Sequence, residues 1–274
     1  MARLAGAGIA LAVLTLYPAA DAAVIGHWTF DEGTGTTTTD LSGNSLDGTL
    51  SSPTLWTTDH PAATGYGHSL SFDRDLGQTV TVGHNALLNA NATSIQFWYN
   101  DSDEAGRSLY EPGDISYGYV GGMQDAWFIE RYRPDAVSPI TIKLFLKHSG
   151  ATGEPFQDTY SIFQYIELPQ DGAWHNIAFT CTANGLFSSY LDGVPQNSYN
   201  NNIALAPNSA SDMTLGTAFM ASYRHYSFEL GEFYFYNNAI TAQEVLDNMA
   251  SIPEPASLAL LLAGGLLACR RKRG

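Results

Sequence analysis

Cysteine is nearly absent from this chain: 274 residues hold two, Cys181 and Cys269. Cations are scarce too, with 12 Lys and Arg against 27 Asp and Glu and a formal charge of −15. Such a surface repels phosphate backbones, which argues against nucleic acid as a partner and favours divalent cations. Zinc spacing is missing. His27, His60, His68, His84, His148, His175 and His225 form no His-x-x-x-His pair, and no Cys-x-x-Cys accompanies them. Gly-x-Ser-x-Gly, His-Glu-x-x-His and a phosphate-binding glycine loop are also missing, and "GTGT" at 33–36 reads as a turn.

Long apolar runs are confined to the two ends. Residues 1–22 carry one cation, Arg3, an uncharged stretch from Leu4 to Leu16, Pro18 and the small-x-small pattern Ala20-Asp21-Ala22. This order predicts a secretory signal peptide whose removal leaves Ala23 as the new N-terminus. At the other end, Ala256 to Cys269 is uncharged and Arg270, Arg271, Lys272 and Arg273 follow. As a helix, 256–269 would rise about 21 Å against a hydrocarbon core of roughly 30 Å, so it is expected to act as a short membrane anchor with a cytoplasmic basic end.

Pro253-Glu254-Pro255, the apolar run and the basic cluster together resemble a PEP-CTERM sorting segment spanning 253–274. The resemblance implies a Gram-negative, exopolysaccharide-making bacterium in which an exosortase-type enzyme removes the tail. It also implies transient anchoring in the inner membrane and then display on the cell surface or in the extracellular matrix. Without both ends, five cations and two acids are lost, leaving 25 acids and 7 bases in 23–252, a formal charge of −18. Cys181 then has no partner. A body of about 230 residues buries enough apolar surface to be stable without cross-links.

Period-two alternation runs through that body. In "SIQFWYN", Ile95, Phe97 and Tyr99 share one face; in "HNIAFTCT", His175, Ile177, Phe179 and Cys181 share another. Further strands are predicted at 24–30, 69–73, 78–82, 126–132, 140–147, 159–167, 186–191, 212–217 and 228–236, separated by Gly-, Asn- and Asp-rich turns. One helix is predicted in "TAQEVLDNM", where Thr241 and Glu244 have capping-box spacing and Val245, Leu246 and Met249 form the apolar stripe. The expected fold class is all-β, a two-sheet jelly-roll sandwich over 23–250 with one short C-terminal helix, besides the signal helix and the apolar tail helix.

Four blocks, "HWTFDEGTGTTTTDLSGNSLDGTL", "SLSFDRDLGQTVTVGHNALLNANATSIQFWYN", "WHNIAFTCTANGLFSSYLDGV" and "GEFYFYNNAITAQEV", resemble the laminin-G-like or concanavalin A-like jelly rolls of bacterial surface proteins. Residues 101–170 are poorly matched. The resemblance implies a structural calcium near "DLSGNSLDG", with Asp40, Asn44 and Glu232 as the candidate ligands; Gly231 stands where the family usually has an acid. Oxygen-rich loops of this kind suit calcium, and they are also ordinary turns. Asp101, Asp103 and Glu104 are expected in a solvated loop.

Tyr223, His225 and Tyr226 in "YRHY", and Tyr234 in the last strand, are the candidate ligand contacts, because sugars pack their C–H faces on rings. Most other rings, Trp98 and Trp174 especially, are expected in the core. His175 is expected to be hydrogen-bonded rather than a base, and Cys181 a buried thiol. The Glu-x-Asp-x-x-Glu strand of laminarinase-like glycosidases is missing; "ELGE" at 229–232 has the wrong spacing. The expected function is therefore a non-catalytic surface module binding polysaccharide or another surface protein. Its rivals are a polysaccharide-cleaving enzyme and a self-associating structural protein.

Overall fold

Alternating side chains decide which surfaces meet. A computed structural model describes residues 22–52, 55–101, 117–133, 138–148, 162–200, 202, 204–218 and 225–250. Sixteen strands lie among them: β1 (Val24–Trp28), β2 (Thr37–Thr38), β3 (Gly48–Leu50), β4 (Trp56–Thr57), β5 (Ser69–Phe72), β6 (Val80–Val82), β7 (Thr93–Asn100), β8 (Tyr117–Met123), β9 (Trp127–Tyr132), β10 (Ile140–Leu146), β11 (Ile162–Leu168), β12 (His175–Cys181), β13 (Leu186–Leu191), β14 (Val194–Asn200), β15 (Met213–Leu215) and β16 (Phe228–Tyr236). All pairings are antiparallel. The first sheet runs β14-β13-β12-β7-β16-β5-β4, with β1 also on β16, and the second runs β11-β10-β9-β8-β15-β6-β3-β2.

The two sheets pack face to face as a sandwich, as the alternation predicts. Ile95, Phe97 and Tyr99 of β7, Ile177 and Phe179 of β12, and Phe233 and Phe235 of β16 meet Trp127, Ile129, Ile142 and Leu144 of the second sheet. Trp127 stacks on Phe235 across the interface at 6.0 Å between centroids. Each such side chain contributes about 1.5–3 kcal/mol by leaving water. Cys181 lies in the same core, and burial pushes its thiol up to about 12.

The predicted helix is α1 (Ala242–Met249), and its capping box is complete: Glu244 N donates to Thr241 Oγ1, and Thr241 N donates to Glu244 Oε2. Val245 packs with Ala178, Tyr234, Tyr236 and Ile240 on the outer face of the first sheet, while Leu246 stays largely exposed. Every residue of β7 is consequently buried, on both of its faces.

Two expectations change. The strand expected over 24–30 stops at Trp28, and Phe30 adopts a left-handed φ of 54° with its ring in the core. Asp101 is not solvated; it is buried against Arg131 of β9. Asp103 and Glu104 lie outside the described residues, as do the leader up to Asp21 and the tail with Pro253, Glu254, Pro255, Arg270, Arg271, Lys272 and Arg273. Among the described residues no helix is long and apolar enough to cross a membrane.

Candidate functional site

The second sheet leaves one face turned away from the sandwich core. In β10, Ile140, Ile142, Leu144 and Leu146 point inward, so Thr141, Lys143 and Phe145 point out. Cross-strand register sets Tyr119 (β8) opposite Glu130 (β9), Glu130 opposite Lys143 (β10), and Lys143 opposite Tyr165 (β11). These four side chains form a row across the sheet. Alongside it, Tyr132, Thr141 and Glu167 form a second row, and Phe128 stacks on Phe145 at 4.4 Å in a third.

The Lys143 and Glu130 charges on this face are neutralised locally. Lys143 Nζ sits 3.6 Å from Glu130 Oε1 and 3.6 Å from the centroid of Tyr132, an ion pair and a cation–π contact on one ammonium. Tyr165 is 41 % exposed, which is high for a ring in a sheet. Gly122 supplies the room beside Phe128: a Cβ there would stand 2.8 Å from Phe128 Cβ. Tyr119 and Phe128 are covered, at 1 % and 5 % exposure, and pack with Ala218 and Phe145, so the open part of this face is the Tyr165 ring with Glu167, beside half-buried Lys143, Glu130 and Tyr132. An exposed ring flanked by an amine and carboxylates can hold a sugar by stacking and hydrogen bonds. None of these residues was named from the sequence, because they fall in the poorly matched 101–170. Their available signal was the alternation in "ITIKLFL" and "FQYIEL", which sets Lys143, Phe145 and Tyr165 on outer faces.

The residues singled out from the sequence are dispersed. Asp40 organises its own loop. Its Oδ1 accepts from His27 N (3.0 Å) and Ser42 N (2.9 Å), and its Oδ2 accepts from Ser42 Oγ (2.7 Å) and Leu46 N (3.0 Å). Burial alone would raise this carboxyl, but the bonds from Leu46, His27 and Ser42 outweigh it and hold the group below the usual carboxylate range. Asn44 donates its amide to the carbonyl of Ile25 (2.9 Å).

Glu232 lies apart from that loop, with His27 between them: His27 N reaches Asp40 while Nε2 is 2.7 Å from Glu232 Oε1. Asp40 thus accepts four hydrogen bonds from its own loop and β1, and Asn44 shares the Ser42 hydroxyl with it. Among the described residues no group of three or more His, Cys, Asp or Glu is placed to hold a metal ion.

Tyr234 does join Glu232, donating to its Oε1 at 2.7 Å and stacking on His27 at 4.0 Å. Tyr66 also donates to that oxygen, at 3.3 Å, and burial and the Glu232 charge raise its phenol well above the ordinary tyrosine value. Tyr226 turns inward, stacking on Phe228 at 4.7 Å with its hydroxyl 3.2 Å from that of Tyr99. His225 Nδ1 meets the Gly216 carbonyl at 3.2 Å, and Tyr223 lies outside the described residues. Trp174 is not a core ring; its Nε1 donates to the exposed Asp59 at 3.1 Å.

One pair of carboxyl groups does come together from separate elements. Glu229 of β16 accepts from Asn100 Nδ2 (3.2 Å) and shares a hydrogen bond with Asp59. Burial first, then Asp59, pushes the Glu229 carboxyl up to about 7.

Comparison with known proteins places this architecture. Domain 4 of AbnA, a GH43 extracellular arabinanase from Geobacillus stearothermophilus solved with arabinotriose, superposes with a TM-score of 0.56 at 16 % identity, covering 85 % of this chain and all of that domain. The binding domain of Paraclostridial Mosquitocidal Protein 1 gives 0.59 at 14 % identity and 82 % coverage. The receptor binding domain of botulinum neurotoxin D gives 0.58 at 11 % and 83 %. The chain spans about half the length of these last two, 51 % and 52 %. At such identities the likeness is one of fold. No curated protein matches the sequence. The profile of the Concanavalin A-like lectin/glucanases superfamily matches residues 74–246, more than half of the sequence, and the chain belongs to that superfamily.

Proposed function

We propose that this chain is a non-catalytic, exported jelly-roll module that binds polysaccharide through the outer face of its second sheet. The row Glu130–Lys143–Tyr165, ending in the exposed Tyr165 ring, carries this reading. Stacking surface and hydrogen-bonding groups lie side by side there, and Lys143 is held in place by Glu130 and Tyr132. The arabinotriose complex of the AbnA domain supports a sugar as the ligand class. Binding is proposed over cleavage because the sequence lacks the Glu-x-Asp-x-x-Glu strand that laminarinase-like glycosidases use.

The terminal motifs support the rest of the reading: a leader that exports the chain, an exosortase-type enzyme that acts at Pro253-Glu254-Pro255, and residence first at the inner membrane and then at the surface of a Gram-negative cell. Mass spectrometry of the protein isolated from its host, with new ends near 23 and 253, tests that part.

Glycan-array binding by wild type and Tyr165→Ala, each with and without a calcium chelator, tests the ligand. Binding that Tyr165→Ala abolishes supports the proposed face; binding that it leaves intact moves the site elsewhere. Loss on chelation would implicate a cation. A second reading, self-association, draws on β14, an edge strand all of whose seven residues are exposed and uncharged, though Pro195 within it lacks an N–H for pairing. Silence on the array together with dimers on size-exclusion chromatography would favour it.

A further inference from the structure

Two segments far apart in sequence meet just beyond the end of β10. The Lys147 carbonyl accepts from Ala206 N at 3.1 Å, and His148 and Leu205 form an antiparallel bridge. Asn208 N donates to the Asp125 carbonyl at 3.1 Å, and Lys147 N donates to the Ala126 carbonyl at 2.8 Å. Backbone bonds therefore fix Asp125, Lys147 and Asn208 relative to one another. Asp125 makes the turn between β8 and β9 with a left-handed φ of 61°, a conformation that Asp and Asn tolerate better than most residues.

Their side chains converge on one nitrogen. Lys147 Nζ lies 2.5 Å from Asn208 Oδ1 and 2.9 Å from Asp125 Oδ1. A carbonyl bond is about 1.2 Å long, so the Asn208 amide carbon stands within about 3.7 Å of the amine, next to the near-attack range of roughly 3–3.5 Å. The Lys147 side chain is only 15 % exposed, and Ala126 and Leu205, adjoining it along the backbone, are buried. Asn208 is exposed, which gives a small leaving group a way out.

We propose that Lys147 and Asn208 join in an intramolecular isopeptide bond, with Asp125 as the catalytic proton carrier. The Asp125 carboxylate takes one proton from the Lys147 ammonium, and the freed electron pair on Nζ forms a bond to Asn208 Cγ while the carbonyl π pair moves onto Oδ1. Asp125 then passes protons from Nζ to Nδ2, two in all. The Oδ1 pair restores the carbonyl as the Cγ–Nδ2 bond breaks. An ammonium and a primary amide thus become a secondary amide and a free ammonium ion, Asp125 is regenerated, and nothing is oxidised or reduced.

The bond would close a long loop. Lys147 and Asn208 are 61 positions apart, and β11, β12, β13 and β14 all lie between them. Cys181 is the one cysteine in that interval, so no disulfide closes it. A permanent amide there restricts the unfolded chain as a disulfide does elsewhere.

Peptide mass spectrometry of the full-length protein, freshly purified and after days of incubation, tests the bond. Trypsin cuts after a free lysine, so an unlinked chain yields peptides 144–147 and 148–224. A linked chain instead yields 144–224 uncut and lighter than its sequence by about 17 Da, the mass of ammonia. Chymotryptic fragments should then show Lys147 and Asn208 on one branched peptide. Asp125→Asn keeps a residue that suits the left-handed turn but removes the proton carrier, so linkage should slow by about a hundredfold or more. Circular dichroism checks that this variant is folded, and Asp125→Ser serves if it is not. Cleavage after Lys147 in the wild type at every time point overturns the proposal. So does a branch that joins Lys147 to any other residue, or a gain of about 1 Da at Asn208 without a branch, which would show that water took the carbonyl instead. Linkage undiminished in Asp125→Asn overturns the role given to Asp125.

Discussion

Arg131 and Asp101 join the two sheets through a buried ion pair, with Arg131 Nε 2.9 Å from Asp101 Oδ2 and both side chains less than a tenth exposed. Asp101 follows the last residue of β7 in the first sheet; Arg131 lies in β9 of the second. Tyr99 donates its hydroxyl to the same carboxylate at 3.0 Å, and Arg131 stands 5.4 Å above the Tyr226 ring. The carboxylate and guanidinium leave water together, so each depends on the other.

Removing one partner should therefore cost far more than replacing both. Asp101→Ala is expected to lower the unfolding free energy by about 3–5 kcal/mol, because it strands a buried guanidinium. Asp101→Leu with Arg131→Met is expected to recover most of that loss. Urea denaturation of the single and double variants checks it; equal losses in both would show that the pair's charges do not depend on each other.

His175 should give stability a pH dependence of known sign. Burial alone would lower its value, but hydrogen bonds to Asp192 (2.8 Å) and Asp171 (3.1 Å) outweigh it and raise the imidazole. A raised folded value means the contribution is complete below the unfolded value of about 6.5 and is lost as pH rises through the folded one. Asp171 is lowered, first by the backbone N–H of Ala173 and then by His175, so its share is complete above about 3.8 and is lost as pH falls through its folded value. Urea midpoints of the wild type should decline above pH 6.5. In His175→Gln that decline should flatten, with a loss of about 1–3 kcal/mol at pH 6.

Much of this fold is legible because one face of each central strand is apolar. Ile177, Phe179 and Cys181 in β12 alternate cleanly, and the Asp192-Gly193 turn after β13 has the positive φ angles, 51° and 75°, that an Asp-Gly hairpin predicts. β14 escaped notice because all seven of its residues are exposed, so nothing alternates. β8 escaped because Gly118, Gly121 and Gly122 interrupt it and a bulge falls between Tyr119 and Gly121. Asp101 looked like a loop acid because its partner lies thirty residues away, a distance that local pattern does not register. Tyr226 was expected in a binding loop, but its neighbour Phe228 draws it inward by stacking. The Lys143–Glu130–Tyr132 cluster needs cross-strand register to be recognised.

Asp40 should behave as a structural acceptor. Asp40→Ala leaves the N–H groups of His27 and buried Leu46 without their acceptor, which should cost about 2–4 kcal/mol. Because the folded carboxyl is lowered, its contribution is present above the unfolded value of about 3.8 and is lost as pH falls through the folded one. Thermal midpoints with added calcium or chelator should coincide. A rise of several degrees with calcium would mean that the loop exchanges its N–H donors for a cation.

The charge of the ligand can be read from salt. Lys143 on the proposed binding face is already neutralised by Glu130, and the body around it carries 25 acids against 7 bases over residues 23–252. An anionic glycan would approach against that field, whereas a neutral one relies on ring stacking and short hydrogen bonds that salt does not screen. Affinity for a bound glycan should therefore change less than about twofold between 50 and 300 mM NaCl. Replacing Lys143 with Met should weaken binding by about tenfold, through loss of a donor and of the support it gives Tyr132. Isothermal titration at several salt concentrations decides: a steep loss of affinity with salt would mean that the ligand is held by charge at some other surface of the sandwich.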